Sequence, residues 1–332
     1  MNEHRAASVI DVHAHVVLEE TMGVAGAFGP EIGQASDGTP WFRIGDYRLN
    51  GVRYRGSPFI DFDRRVEVMD AMGIDLQVLS PNPLTYFSFI DAAAAIEFAR
   101  VHNDALAAHL NGLEQRLIGI AQLPVQDIGA SCEELSRAVT DLGLRGAMIG
   151  TDLPRRLHDP EMDRLYEKCV DLDVPLFIHP GPAGIDGPPG DPTLQSFELD
   201  VVLGFSAQEA AAVASLIFGE VLARHPDLDI CLSHGGGSSA YLMGRMRRAA
   251  RKRSWVPDAL RPDGALEAAY AKIWMDDHLN SAESKDLLKA LHGEDRLVFG
   301  TNFAGWDAPD ATGPDDVPPH YADNARRLLR LT

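Results

Sequence analysis

The chain has 332 residues, with 30 Lys and Arg against 49 Asp and Glu, a formal net charge of −19. This excess of negative charge argues against a nucleic acid partner, because phosphate binding requires a basic face. Hydrophobic residues make up 45% and charged residues 24% of the chain, which excludes a disordered protein. The three cysteines form no Cys-x-x-Cys pair and the first residues lack a signal-peptide pattern, so we expect a cytoplasmic protein.

The longest apolar stretch, residues 210–223, contains Glu220 and is shorter than the about 20 apolar residues of a bilayer span. We therefore expect no membrane span. One basic segment, residues 245–253 with the sequence RMRRAARKR, is interpreted as a solvated helix face or an oligomer contact rather than a phosphate-binding patch.

Short apolar segments alternate with longer amphipathic segments along the chain. Several of the short ones are continuously apolar, which is typical of parallel strands covered on both faces. The predicted strands are residues 8–15, 75–82, 116–124, 145–150, 174–180, 228–236, 272–277 and 296–302. The predicted helices are residues 61–73, 91–112, 131–143, 162–173, 206–226, 238–253, 281–293 and 321–331. In the third of them, Ser131 and Glu134 are predicted to form a capping box.

This alternation predicts an α/β fold, in which eight strands close into a (β/α)8 TIM barrel as a single domain over residues 1–332. An open doubly wound sheet is the alternative. It would require a glycine-rich phosphate loop after the first strand, where the sequence is instead DVHAHVV.

Residues 16–60 interrupt the alternation after the first strand. The segment 41–58 alternates in short runs around Asn50 and Gly51, a dipeptide that strongly favours a two-residue hairpin turn. We expect an inserted β-hairpin at the end of the barrel where enzymes of this fold place their active sites. A second long loop, the Gly- and Pro-rich residues 180–200, is expected at the same end.

Four histidines fall at the predicted carboxyl ends of strands. His13 and His15 lie two apart, so both side chains point to the same side of the first strand. His179 ends the fifth strand and His234 the sixth. Imidazoles that converge at this edge can bind a divalent metal, and core packing is the alternative for any one of them. For His278, after the seventh strand, contact with substrate or metal and a structural role both stay open.

Four motifs together carry a resemblance to a known family: DVHAHVV, LFIHP, LSHGGG followed by a helix with Gly244 and Arg245, and FGTNF after the last strand. In combination they resemble the amidohydrolase superfamily, specifically the branch of aminocarboxymuconate-semialdehyde decarboxylase. That branch includes γ-resorcylate and related aromatic decarboxylases, together with hydratases and C–C hydrolases of lignin-fragment catabolism. The resemblance covers the chain from Asp11 to about Trp306.

The resemblance implies a metal-dependent enzyme whose substrate is a small anionic acid, either aromatic or produced by ring cleavage. It implies that His13, His15 and His179 bind the metal, Zn²⁺ or else Mn²⁺, and that His234 is the general acid/base or water-activating group. It also implies a homodimer in which Arg245 crosses the interface to a substrate carboxylate, where a guanidinium can bind in a bidentate manner. Decarboxylation is the expected reaction, and hydrolysis or hydration is the alternative because it uses the same ligands.

The chain departs from the family at Asn302, where relatives carry an Asp or Glu that binds the metal or relays a proton. Three explanations stay open. Asn302 contacts metal or substrate while Asp307, Asp276 or Asp277 supplies the carboxylate; or the barrel has diverged, with altered chemistry or as a non-catalytic binder of a small acid; or Asp was replaced to trap a complex. The following segment FAGWD also differs from the family, which favours natural divergence.

Candidate contacts to the substrate are fewer. Arg53, in the inserted hairpin beside Arg55, is expected either to pair with an anionic substrate or to be a solvated charge. Trp306, near the end of the eighth strand, is a candidate wall for an aromatic ring, ahead of Tyr86, Phe87 and Phe89. A scaffold that docks a partner through residues 245–253 is the remaining alternative, and it would function without the histidines.

Overall fold

The computed structural model describes residues 8–303, 305–309 and 317–331. Parallel pairing joins three strand segments in one sheet and six in another. The residues of these strands are buried throughout, which fits their continuously apolar sequences. The strands are β1 (Ile10–Val16), β5 (Leu76–Pro81), β6 (Leu117–Gly119), β7 (Ala121–Gln122), β8 (Ala147–Gly150), β9 (Leu176–His179), β10 (Ile230–Leu232), β11 (Trp274–Asp276) and β12 (Leu297–Val298).

The two parallel sheets join into one ring. β6 and β7 are a single strand interrupted at Ile120, whose N–H still donates to Leu79 O at 3.0 Å. At the other seam β12 meets β1, where Val12 N–H donates to Phe299 O at 2.9 Å. The predicted (β/α)8 barrel is therefore confirmed, and its eight strands correspond to the eight predicted segments.

Helices follow the strands around the barrel. Most begin and end within three residues of the predicted bounds, and α8 was not predicted. The helices are α1 (Phe62–Met72), α2 (Ala92–Leu110), α3 (Ile128–Thr140), α4 (Asp163–Asp171), α5 (Phe205–Phe218), α6 (Val221–Arg224), α7 (Ser239–Lys252), α8 (Ala265–Tyr270), α9 (Ala282–His292) and α10 (Pro319–Leu329).

The expected capping box at the start of α3 was wrong. The helix begins three residues earlier, and Asp127 caps it by accepting a hydrogen bond from Ala130 N at 3.0 Å. Ser131 instead donates to Pro124 O at 2.9 Å, and Glu134 is buried against α2 through a 2.7 Å hydrogen bond from Asn103. An Asp at the N-cap position satisfies the same free backbone donors.

The insertion after β1 is a three-stranded antiparallel sheet rather than a lone hairpin. Its strands are β2 (Glu31–Gln34), β3 (Pro40–Ile44) and β4 (Tyr47–Asn50). The turn between β3 and β4 is Gly45-Asp46, flanked by the pair Ile44 and Tyr47. The expectation of a turn at Asn50-Gly51 was wrong, because Asn50 ends β4 opposite Trp41.

Within the described residues, one helical stretch, Asp200–Phe218, is long and apolar enough to cross a membrane, with a mean hydropathy of 1.7. Core helices of folded proteins meet the same criterion. α5 forms most of this stretch, and it packs against α7 and the turn after β10. Its apolar composition is therefore weak evidence for a membrane span.

Candidate functional site

Three imidazoles meet at the carboxyl ends of β1 and β9. One ring nitrogen from each of His13, His15 and His179 lies within 4.8 Å of the other two. All three residues are buried, and in the described part of the chain their Nε2 atoms have no hydrogen-bond partner. A buried polar atom without a partner is costly, so three that converge indicate the place of a ligand.

Carbonyl oxygens orient two of the rings through Nδ1: His15 Nδ1 lies 3.1 Å from Pro81 O and His179 Nδ1 lies 2.6 Å from Pro180 O. His13 Nδ1 lies 2.9 Å from Asp276 Oδ2, without the geometry of a hydrogen bond. An imidazole that donates through Nδ1 presents the lone pair of Nε2, which is the usual arrangement around a protein-bound metal.

The protonation states also fit a metal. Burial, reinforced by the neighbouring imidazoles, holds the pKa values of His13 and His179 well below the ordinary histidine value. Burial likewise lowers the pKa of His15 to about 3. Neutral imidazole is the form that binds Zn²⁺ and related ions, so the chemistry of this set of donors fits a divalent cation.

A buried network supports β1 beneath these ligands. Arg65 of α1 is fully buried; it donates to His15 O at 2.6 Å and to Gln77 Oε1 at 2.7 Å. Gln77 Nε2 in turn donates to Asp11 Oδ2 at 2.8 Å. Asp11 also accepts from the Thr301 hydroxyl at 2.7 Å, so the network ties β1 to α1, β5 and the segment after β12.

His234 lies beside the three histidines but in a different electrostatic environment. It follows β10 with a φ of +46°, and its ring centroid is 4.9 Å from that of His13. Glu209, fully buried on α5, places Oε1 2.8 Å from His234 Nδ1. Burial by itself lowers the pKa of His234, but the charge and hydrogen bond of Glu209, together with the charges of Asp276 and Asp307, outweigh burial and raise that pKa to about 9. His234 is therefore a protonated donor near neutral pH in the metal-free protein.

Glu209 was missed in the sequence. It lies in the alanine-rich segment SAQEAAA, where one carboxylate has no local partner, because its partner comes from the loop after β10. A lone acidic residue on the buried face of an apolar helix was the available signal, since buried carboxylates require a partner.

The segment after β12 supplies a carboxylate. Asn302 has a φ of +48° and its Nδ2 donates to Asp307 Oδ1 at 2.6 Å. His278 Nε2 lies 3.1 Å from Asp307 Oδ2. Burial opposes ionisation of Asp307, but hydrogen bonds from His278 and Asn302 and the charges of His278 and His234 together hold its pKa well below the usual range. His278, left open by the sequence, thus belongs to the site.

The other two carboxylates considered in the sequence lie elsewhere. Asp276 faces His13, behind the histidine cluster. Asp277 forms an ion pair with Lys285 at 3.1 Å and is not among the residues that line the cavity.

A cavity of about 630 Å³ opens above these groups. It reaches His15, His179, His234, Asn302 and Asp307 at its base. No Lys or Arg is among the described residues that line it. Apolar walls surround the base: Phe59, Leu84, Val201, Val202, Phe205, Tyr241, Leu279, Leu287, Leu288 and Trp306.

Of the three residues predicted to contact the substrate, only Trp306 lies among the described residues that line the cavity. Trp306 lines it and remains 72% exposed. The structure does not bring Arg53 there: its side chain is exposed in the segment after β4 and lies outside the lining residues. Arg245 is also exposed and outside the cavity of its own chain, so its expected role across a dimer stays a prediction. Of the other aromatic candidates, Tyr86 and Phe87 are buried in the core.

The parallel barrel carries these histidines at the carboxyl ends of its strands. The fold and the site together therefore place the protein in the class of barrel proteins with a candidate divalent-metal site. The family model described as amidohydrolase matches residues 10–331. The chain therefore belongs to the amidohydrolase family.

Two similar proteins and one solved structure carry names that bear on chemistry. The 2-amino-3-carboxymuconate-6-semialdehyde decarboxylase of Dictyostelium discoideum is 30% identical over 73% of this chain and 66% of its own length. A γ-resorcylate decarboxylase of Rhizobium sp. is 29% identical over 97% of this chain and 98% of its own length. The dihydroxybenzoic acid decarboxylase of Polaromonas sp., solved with manganese and the inhibitor 2-nitroresorcinol, superimposes with a TM-score of 0.72 at 22% identity, covering 98% of this chain and 97% of its own.

Proposed function

We propose that the protein is a metal-dependent carboxy-lyase that removes CO₂ from a small aromatic or ring-cleavage carboxylic acid. One observation carries the proposal: three buried histidines with lowered pKa values and unpartnered Nε2 atoms converge, and two of them, His15 and His179, line an apolar cavity. The names of the relatives support the reaction class, because two of them are decarboxylases that align with most of this chain.

His13, His15 and His179 would hold the divalent cation, with Zn²⁺ proposed first for three imidazoles and Mn²⁺ as the second candidate. When bound, the metal supplies Lewis-acid stabilisation of the substrate carboxylate and of an oxygen next to it. Arg65 and Asp11 would keep the first two ligands in register through the network beneath β1.

His234 is the proposed proton donor. In a decarboxylation the carbon that loses CO₂ takes a proton, and the imidazolium beside Glu209 holds one at the base of the cavity. Phe205 and Trp306 would pack against the substrate ring, and the apolar walls would exclude water from the reacting carbon. Asn302, also at the base, would contact the substrate through its amide.

We also propose that two copies of the chain form a homodimer. The cavity has no Arg or Lys of its own among the described lining residues, so a second cationic contact to the substrate would come from Arg245 of the neighbouring protomer. Residues 1–332 would form one domain, with residues 16–60 as an insertion that contributes Tyr47 and Phe59 to the cavity.

Metal analysis combined with a CO₂ assay tests the proposal. The purified protein is expected to hold about one Zn²⁺ or Mn²⁺ per chain, and the double variant His13→Ala, His15→Ala is expected to hold none. The control is His158→Ala, since His158 is bonded to Ser215 and lies outside the cavity. CO₂ release from a panel of hydroxybenzoic acids should follow the metal content. A protein without metal after reconstitution would refute the metal site, and hydrolysis or hydration without CO₂ release would refute the reaction.

A further inference from the structure

A second cleft, of about 620 Å³, lies on a different face of α5 from the cavity above the histidines. Phe205 and Glu209 of this helix line the cavity, whereas Gln208, Ala211 and Ser215 line the cleft. Residues three or four apart lie on the same face of a helix, so these two sets point in different directions. Among the described residues none lines both spaces, so the cleft is separate from the proposed active site.

His158 is held in a fixed position in this cleft. Its Nδ1 lies 2.7 Å from the hydroxyl oxygen of Ser215. A Cβ at Gly219 would come within 2.2 Å of His158 Cβ, so a glycine at the end of α5 is what allows His158 to pack there. With Nδ1 occupied, Nε2 is the ring atom that remains for a ligand.

The floor and one wall of the cleft are also fixed without a ligand. Gln208 accepts a hydrogen bond from the Thr151 hydroxyl at 2.5 Å, which ties the segment after β8 to α5. The loop after β9 closes on itself: Gly184 has a φ of +86°, and a Cβ there would lie 3.0 Å from Gly190 N. A preformed wall reduces the entropy that a ligand must lose on binding.

Two opposite charges in the cleft have no partner. Arg156 and Asp152 line it, both are exposed, and neither forms an ion pair within the part of the chain that the structure describes. The neighbouring Arg155, by contrast, pairs with Glu161 at 3.1 Å. Partial burial and the charge of Asp186 raise the pKa of Asp152, so a cation that arrives beside Asp152 is favoured.

We infer that this cleft binds a free amino acid with an apolar chain. Its carboxylate is bound by the guanidinium of Arg156, which suits a bidentate contact, and by Nε2 of His158. Its ammonium group pairs with Asp152. Its chain packs against the apolar residues of the cleft, which are Leu157, Ala183, Pro188, Pro189, Ala211 and Ala212. A ligand with only one charge would leave Arg156 or Asp152 unpaired, so the zwitterion is selected.

Calorimetry on the metal-loaded protein tests the inference with two zwitterions whose charges are spaced differently, L-leucine and 6-aminohexanoate. Each is compared with the acid and the amine of a similar chain: 4-methylpentanoate and 3-methylbutylamine for the first, hexanoate and hexylamine for the second. At least one zwitterion should bind about tenfold or more tightly than both of its analogues, as expected for a contact between ionised groups. Arg156→Gln and Asp152→Asn should each weaken that zwitterion by about tenfold or more.

Two further proteins serve as controls, and circular dichroism verifies that every variant folds. Arg248→Gln removes an exposed arginine of α7 outside the cleft and should leave the affinity unchanged. The double variant His13→Ala, His15→Ala should also bind the zwitterion, because the cleft does not use the metal ligands. This arm separates the inference from the proposed function.

Four results would overturn the inference. The first is that neither zwitterion binds at millimolar concentration, and the second is that the single-charge analogues bind equally well. The third is an affinity that Arg156→Gln and Asp152→Asn leave unchanged. The fourth is binding that disappears in the double histidine variant, which would place the amino acid on the metal instead.

Discussion

Replacement of Glu209 by Gln should move the alkaline limb of the pH–activity profile to lower pH by more than two units. Glu209 raises the pKa of His234 to about 9, against an ordinary histidine pKa of 6.5. Gln keeps the size and the hydrogen-bond acceptor but removes the charge, so burial then lowers the pKa to its ordinary value or below it. A change of this size corresponds to about 3 kcal/mol in the affinity of His234 for its proton.

The sign of the effect on catalysis follows from the form that reacts. A proton donor works only while protonated, so the wild-type activity should be present below the pKa of His234 and be lost as the pH rises through it. At pH 8 about nine-tenths of the wild-type His234 is protonated, against about 3% for a histidine with the ordinary pKa. We therefore expect Glu209→Gln to lose about thirtyfold in kcat/KM at pH 8 and much less at pH 5.5. A bound cation lowers the pKa of His234 in both proteins. The quantity to compare is therefore the difference in pH between the midpoints of their two alkaline limbs.

The assay is a pH profile of kcat/KM for both proteins, together with NMR titration of the His234 ring in metal-free samples. The same shift appears in stability: a raised folded-state pKa stabilises the metal-free fold fully below pH 6.5, and that contribution is lost as the pH rises through about 9. Glu134→Gln is the matched control, since Glu134 is a buried carboxylate paired with Arg137 on the outer side of the barrel. An alkaline limb in Glu209→Gln that coincides with the wild-type limb would refute the role of Glu209 in raising the pKa of His234.

Two further predictions concern the support of the site and its assembly. Arg65→Met should reduce the free energy of unfolding by about 3–5 kcal/mol, because it leaves Gln77 and the carbonyl of His15 without their buried donor. Urea unfolding measures this change. A loss below about 1 kcal/mol would show that the hydrogen bonds of Arg65 do not stabilise the fold. Light scattering should show a dimer, and mixing inactive Arg245→Ala subunits with inactive His234→Ala subunits should restore activity, since one site of the mixed dimer then has both residues. A monomer, or a mixture that stays inactive, would remove the proposed role of Arg245.

The parts of the fold that the sequence predicted depend on local pattern. Parallel strands buried on both faces are continuously apolar, so the segments around His179 and His234 could be found, and an inward-facing histidine at the carboxyl end of such a strand lies at the mouth of the barrel. The convergence of His13, His15 and His179 at one end of the barrel could be predicted from that geometry.

The missed features depend on contacts between distant segments. Glu209 acquires its role from a loop 25 residues further along the chain, and no periodicity in α5 reveals that contact. The location of the β3–β4 turn was decided by the pairing of Ile44 with Tyr47, against the local preference of Asn50-Gly51. The sequence could name Asp307 as one of three candidate carboxylates but could not single it out. Its contacts with Asn302 and His278 form only in the folded chain.

Because Glu209 lies on α5, the residues that line the cavity differ in how freely they can be substituted. Phe205 begins the same helix, and Val201 and Val202 lie in the turn that leads into it, so substitutions there also displace the carboxylate that governs the proton donor. Leu287 lines the cavity from α9, an element that carries neither Glu209 nor His234. Changes of substrate range, in evolution or in the laboratory, should therefore accumulate on the α9 side, where the shape of the pocket can change while acid strength stays constant.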